Sequence, residues 1–161
     1  MIPWLESLNK TVLGKLDTQI SGGYPEPFYR AATKGKPAEI QFTYDYVRSA
    51  LHELAHWCVA GNKRRQQDDY GYWYEADGRS NEQQQLFFQV EVVPQAIEKH
   101  FCEAAGILFD ISSDNLNTKG LDGIPTFRTA VDAKYQQFAE AGLPGQAAVI
   151  SRHIASWQNK R

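Results

Sequence analysis

The string HELAH at residues 52–56 constrains this chain more than any other feature. It lies in a segment with apolar residues at helical spacing, between a capping residue, Thr43, and a helix stop, Gly61. Histidines four residues apart on a helix lie on one face, about one turn apart, so both imidazoles can reach a single ion. Burial of such a pair without a shared partner is costly. The string therefore predicts a central helix on which His52 and His56 bind a metal.

A third ligand is expected from a later helix. A capping pattern at Ser80 begins a long helical segment that runs towards Gly106, and Pro94 is expected to kink it at the turn that contains Glu91. Glu91 stands among apolar residues, where a carboxylate is costly to bury unless a positive charge compensates it. The sequence thus favours Glu91 as the third ligand, with a place in an internal hydrogen-bond network as the alternative. His100 is set aside, because a lone histidine is more often a surface or core residue.

The remaining patterns predict one domain over residues 1–161, because the chain has no repeat, low-complexity tract or linker-like segment. Helices alternate with a little strand, so the expected fold class is α+β with a small β-sheet. The other expected elements are a helix over residues 4–16, a hairpin of residues 28–32 and 38–42, a short strand over residues 70–74, and helices over residues 126–141 and 145–158.

Charge and hydropathy exclude several classes of function. The net charge of −2 provides no broad basic field, so nucleic acid is not an expected partner. No apolar run approaches the roughly 20 residues that a membrane helix needs, and we expect no membrane contact. The two cysteines, Cys58 and Cys102, are too few for a disulfide framework and are interpreted as core residues. We therefore expect a cytoplasmic protein. A monomer is the expected oligomeric state, although none of these properties determines it.

Two histidines and a carboxylate fit two catalytic chemistries. With zinc, Glu53 would act as general base on a metal-bound water, as in a zincin-class metallopeptidase. With ferrous iron, the open coordination positions would serve dioxygen chemistry. A metal-stabilised binding module is a third possibility, but it would need a closed shell of four protein ligands, and the sequence offers three convincing ones.

Several further strings occur together with the histidine motif. They are HELAHWCVAG at residues 52–61, RR at 64–65, DYGYWY at 69–74, DGR at 77–79 and VEVVPQA at 90–96. The strings HWC, GYWY and PQA are far more distinctive than the two histidines alone. In this combination and order the chain resembles the bacterial elongation factor P hydroxylase family, nearly from end to end.

The resemblance implies a non-haem metalloenzyme that hydroxylates the β-lysyl-modified lysine of elongation factor P, its protein substrate. It implies an oxidoreductase of the monooxygenase type, with Fe(II) as the expected metal and dioxygen as cosubstrate, although another divalent metal can occupy such a site in a purified sample. It also implies a zincin-like helical core with His52, His56 and Glu91 as the metal ligands.

Residues near the motif are candidates for contact with the substrate. Alternate residues of a strand face the same side, so Tyr72 and Tyr74 are expected to line a pocket for a long cationic side chain, with core packing as the alternative. Arg79 is expected to meet acidic groups on the protein substrate. Glu53 is the candidate catalytic carboxylate; as a hydroxylase residue it can act as a base, orient a ligand or accept a salt bridge.

Overall fold

The computed structural model describes residues 2–72, 81–112 and 123–160, without the side chains of residues 81 and 84. Five helices and three strands make up the described fold, which confirms the α+β prediction. In chain order they are α1 (Leu5–Leu8), β1 (Thr18–Tyr24), β2 (Phe28–Arg30), β3 (Ala38–Thr43), α2 (Val47–Arg64), α3 (Asn81–Ala105), α4 (Ile124–Ala141) and α5 (Gly145–Gln158).

The sheet has the strand order β1-β3-β2, with β1 parallel and β2 antiparallel to the central β3. The predicted hairpin is confirmed as β2 and β3, but the sequence did not predict β1. Gly22 lies within β1. A Cβ atom at Gly22 would overlap the carbonyl oxygen of Tyr44 and the ring of Phe42. Gly22 therefore allows close packing within the sheet.

The predicted N-terminal helix is irregular. After α1 the chain continues as a wide π-helical turn over Asn9–Leu13 and a 3₁₀ turn over Gly14–Leu16. The side chain of Asn9 accepts a hydrogen bond from the amide of Ile20 at 2.7 Å and donates to its carbonyl oxygen at 3.0 Å. One side chain thus occupies both hydrogen-bonding groups of an edge residue of β1, which secures the helical segment to the sheet.

The central helix is confirmed, but its predicted cap is wrong. Thr43 is the last residue of β3, and its amide donates to the Ser49 hydroxyl oxygen at 2.9 Å, so α2 begins only at Val47. Gly61, with a φ of 78°, interrupts the helix as predicted, and one further turn reaches Arg64.

The predicted strand over residues 70–74 is wrong at its start, since Asp68–Gly71 form a 3₁₀ turn; residues 73–74 lie outside the described residues. The carboxylates of Asp68 and Asp69 accept hydrogen bonds from the amides of Ala31 and Tyr29, both at 2.9 Å. Side chains of this turn therefore take the place of a neighbouring strand beside β2.

Helix α3 is the hub of the helical half, because it contacts α2, α4 and α5. It runs unbroken through Pro94, and the predicted cap, Ser80, lies outside the described residues. Helix α4 begins two residues before its predicted start, and α5 has the predicted bounds.

Helix α2 contacts α3 on one side and β3 on the other, so the sheet, α2 and α3 form successive layers. Within the described part of the chain, no helix is both long and apolar enough to span a bilayer.

Candidate metal centre

The two histidines of the HELAH string lie one turn apart on α2, on the side that faces α3. Their ring centroids are 4.7 Å apart, and about a quarter of each side chain is exposed. The neighbouring Leu51, Leu54 and Ala55 are fully buried in the main hydrophobic core. The helix therefore buries its apolar side chains and leaves both imidazoles accessible at the interface with α3.

Glu91 of α3 completes the cluster, and its side chain is only 7% exposed. Its Oε2 lies 3.0 Å from Nε2 of His56, and its Oε1 lies 3.8 Å from Nε2 of His52. One ligand atom from each of the three residues lies within 4.8 Å of the others. Two imidazole nitrogens and one carboxylate oxygen are a donor set that suits a divalent transition metal and leaves coordination positions open.

The charges of the cluster act on one another strongly. Burial lowers the pKa of His52, but its hydrogen bond with Glu98 and the charges of the nearby carboxylates outweigh this and raise the pKa to about 10. Burial raises the pKa of Glu91, but the charge and hydrogen bond of His56, with smaller contributions from His52 and Gln95, lower it to about 2. Glu91 is therefore an anion at neutral pH, and a metal must displace a proton from His52.

A second buried carboxylate supports the first histidine. Oε1 of Glu98, whose side chain is 2% exposed, lies 2.7 Å from Nδ1 of His52, and its Oε2 accepts a hydrogen bond from Arg48 at 3.0 Å. Sequence reasoning did not single out Glu98 for this role. A signal was present, because Glu98 follows Glu91 by seven residues and Arg48 precedes His52 by four, so both lie on the same faces as the ligands.

Gln95 links the cluster to the chain beyond α3. This fully buried amide donates to Oε1 of Glu91 at 3.3 Å and to the carbonyl oxygen of Ser112 at 2.8 Å, and its Oε1 accepts from the Ser112 amide at 3.0 Å. Six residues thus form what we call the polar seam between the two helices: Arg48, His52 and His56 of α2 with Glu91, Gln95 and Glu98 of α3.

Glu53 lies beside the cluster. Burial raises the pKa of its carboxyl, the charges of His52 and His56 oppose this rise, and the charges of Glu91 and Asp69 add to it. No hydrogen bond of Glu53 is present among the described residues. Its side chain is therefore a carboxyl group near the candidate metal position that no described residue fixes in place.

Of the predicted substrate-binding residues, the structure describes only Tyr72. It is 38% exposed, and its ring stacks under the guanidinium of Arg64 at 4.3 Å. Tyr74 and Arg79 lie outside the described residues. The structure therefore brings together His52, His56, Glu91 and Glu53 of the predicted site, and the substrate contacts stay predictions.

Comparison with known proteins assigns the family. A family model described as elongation factor P hydroxylase matches residues 8–161. This chain belongs to the elongation factor P hydroxylase family. The resemblance found in its motifs is thereby confirmed over almost the whole sequence.

A relative from Haemophilus influenzae, named elongation factor P lysine hydroxylase, is 43% identical to this chain over 142 residues. The match covers 88% of the chain and 79% of the relative. The family and the relative both carry the name of a hydroxylase, which makes a hydroxylase the class of enzyme to which this chain is similar. Neither name refers to a peptidase, the other chemistry that the ligand set fits.

Proposed function

We propose that this chain hydroxylates the β-lysyl-modified lysine of elongation factor P with a non-haem iron centre held by His52, His56 and Glu91. The observation that carries the proposal is the coincidence of two findings. The family is named for hydroxylation of elongation factor P, and the relative for hydroxylation of a lysine of that protein. The cluster of two histidines and one glutamate lies where the family resemblance implies the ligands.

The residues of the cluster fit ferrous iron. Two neutral imidazoles and one carboxylate on one side of an ion form the ligand pattern of non-haem iron oxygenases, which keeps positions open for dioxygen and substrate. Bound iron would supply the activation of dioxygen for insertion of one oxygen atom into a C–H bond of the lysine side chain, with two electrons from an external reductant and two protons converting the second oxygen atom to water. His52 and His56 are each about one-quarter exposed, so substrate can approach from their side.

The chain's own residues would hold and orient the reactants. Glu91, buried and anionic, would offset one of the two positive charges of a divalent ion. Glu53 is proposed as the catalytic carboxylate, since it lies beside two of the proposed ligands and burial raises the pKa of its carboxyl. The exposed ring of Tyr72, with Tyr74 and Arg79, is proposed to meet the cationic lysine derivative and its protein.

Elongation factor P is therefore the proposed partner, met in the cytoplasm by a monomer. The proposal is tested by co-expression of this chain with β-lysylated elongation factor P in cells that lack any other such hydroxylase. Mass spectrometry of the modified peptide is expected to show one added oxygen with the wild-type chain and none with the His52→Ala variant. If the β-lysylated peptide gains no oxygen in the presence of folded, iron-loaded wild-type protein, the proposed activity is refuted.

A further inference from the structure

Both oxygens of Glu98 are occupied by different partners. Oε1 lies 2.7 Å from Nδ1 of His52, and Oε2 accepts from Nη2 of Arg48 at 3.0 Å. The side chain of Glu98 is almost completely buried. A buried carboxylate with one donor on each oxygen cannot exchange its oxygens freely, so its orientation is set by the two partners.

The Arg48 end of this arrangement is anchored separately. Its Nη2 also donates to the carbonyl oxygen of Asp110 at 2.8 Å, its Nη1 donates to that of Leu108 at 3.3 Å, and its guanidinium lies over the ring of Phe109, 5.4 Å from the centroid. A guanidinium has only donors. The atom of residue 98 that faces Arg48 must therefore be an acceptor.

The other oxygen determines which nitrogen of His52 carries the proton. A histidine that binds a metal is neutral and keeps one proton on its other ring nitrogen. Since a carboxylate oxygen only accepts, Nδ1 of His52 carries that proton, and Nε2, the nitrogen that faces Glu91, keeps its lone pair. We propose that Glu98, held by Arg48, is a positioning residue that fixes the tautomer and ring orientation of His52 for metal binding. This inference rests on the metal centre of the proposed function.

An amide at position 98 would reverse the arrangement. Glutamine has one acceptor oxygen and one donor NH₂ group. The guanidinium of Arg48 donates to the amide oxygen, so the NH₂ group faces Nδ1 of His52. Nδ1 must then act as an acceptor. The proton of the neutral ring then moves to Nε2, which loses the lone pair that would bind the metal. The Glu98→Gln variant is therefore expected to select the wrong tautomer, although it is nearly isosteric.

Metal affinity and its recovery in a double variant test this inference. We would measure the dissociation constant of Fe²⁺ anaerobically, by competition with a chromophoric chelator. Glu98→Gln is expected to weaken Fe²⁺ binding by about 10- to 100-fold. Adding Arg48→Met is expected to recover most of this loss, because the amide oxygen is then free to turn towards Nδ1. A residue with only a structural role would show a further loss in the double variant.

The matched control is Glu103→Gln, the same substitution on α3 at a residue that accepts a hydrogen bond from the Tyr135 hydroxyl at 2.6 Å. Its Fe²⁺ affinity is expected to equal that of the wild type. Circular dichroism of each variant establishes that the folded proteins are compared. In the Zn²⁺-loaded wild type, a long-range ¹H–¹⁵N spectrum is expected to show the His52 proton on Nδ1.

The possible outcomes separate this inference from the proposed function. If the wild type binds Fe²⁺ and Glu98→Gln binds it with the same affinity, the role of Glu98 is overturned and the hydroxylase proposal stands. The same conclusion follows if the double variant binds Fe²⁺ more weakly than Glu98→Gln. A proton on Nε2 of His52 in the Zn²⁺ form would also overturn the role of Glu98. A folded wild-type chain that binds no Fe²⁺ would overturn both.

Discussion

Helix α2 packs in two different ways along its length. Its apolar side chains share the main core with Ile40 and Phe42 of β3, where burial is nearly complete. Its residues in the polar seam meet α3 through paired contacts, such as His56 with Glu91 at 3.0 Å and Arg48 with Glu98 at 3.0 Å. The stability of the core depends on the apolar area that it buries and on the fit of its side chains. The polar seam depends on the pairing of each hydrogen-bond donor with an acceptor.

The difference shows which part of the interface stabilises the fold and which part serves chemistry. Apolar burial stabilises by about 25 cal/mol per Å² whatever the partner. A buried ion pair gains little net stability, because desolvation offsets most of the attraction between the charges. The polar seam is therefore expected to contribute most of the metal binding and little of the free energy of unfolding. The apolar core is expected to contribute most of the free energy of unfolding and little of the metal binding.

The largest expected effect comes from removal of one pair of the polar seam. A double variant, His56→Leu with Glu91→Leu, is expected to lose metal binding and hydroxylation of elongation factor P completely. Its free energy of unfolding, measured by urea titration in the presence of a chelator, is expected to stay equal to that of the metal-free wild type or to exceed it by about 1–4 kcal/mol. A large loss of stability in this variant would contradict the division between the two interfaces.

The opposite pattern is expected in the apolar core. Leu54 is fully buried, and Leu54→Ala is expected to lower the free energy of unfolding by about 2–5 kcal/mol, because it removes buried methyl groups and leaves a cavity. The folded variant should bind Fe²⁺ with wild-type affinity. Loss of Fe²⁺ binding at a temperature where the variant is fully folded would show that core and polar seam are coupled.

An intermediate effect is expected at Gln95, which belongs to the polar seam and also secures the backbone of Ser112. Gln95→Met keeps the volume but leaves both backbone groups of Ser112 and one oxygen of Glu91 without this partner. We expect a loss of about 1–3 kcal/mol in unfolding experiments. The Fe²⁺ affinity should fall by less than in Glu98→Gln; a greater fall would place Gln95, rather than Glu98, at the centre of ligand positioning.

The smallest change is expected when the native protein is treated with an alkylating reagent, because Cys102 should hardly react. Burial raises the pKa of Cys102 to about 12, with a further rise from the charge of Glu98 and a fall from that of Arg48. Only the thiolate reacts, and at pH 8 its fraction is then about 10⁻⁴, rising tenfold with each pH unit. Iodoacetamide should leave Cys102 of the native protein unmodified at pH 8, as mass spectrometry can establish. Rapid modification would show that this part of the core opens easily.

The helices were the part of the fold that the sequence predicted best. Helix α5 has its predicted bounds, since Gly145 and the apolar spacing after it mark the helix from local signals alone. The errors lie where a distant contact decides. Gly22 belongs to a strand because Phe42 and Tyr44 pack against it, and Thr43 belongs to β3 because that strand pairs on both sides. Neither contact is visible in a local pattern.

The candidate ligands were predictable because each can be inferred from the local sequence of its own helix. His52 and His56 follow from helical spacing, and Glu91 follows from the cost of a carboxylate among apolar neighbours. Glu98 was not singled out, because its place depends on how α3 lies across α2, and several carboxylates of that helix have similar surroundings in the sequence. The spacing of Glu98 and Arg48 places each on the ligand-bearing face of its own helix, but only the packing of α3 against α2 shows that the two side chains meet.

The most direct test of the account follows the oxygen atom itself. Purified iron-loaded protein is incubated with β-lysylated elongation factor P, a reductant and isotopically labelled dioxygen, with Glu91→Gln in parallel, and iron content and peptide mass are measured together. The account predicts one labelled oxygen on the modified lysine with the wild type, and loss of both iron and label with Glu91→Gln. A labelled peptide from the iron-free variant, or an unlabelled oxygen from the wild type, would contradict it.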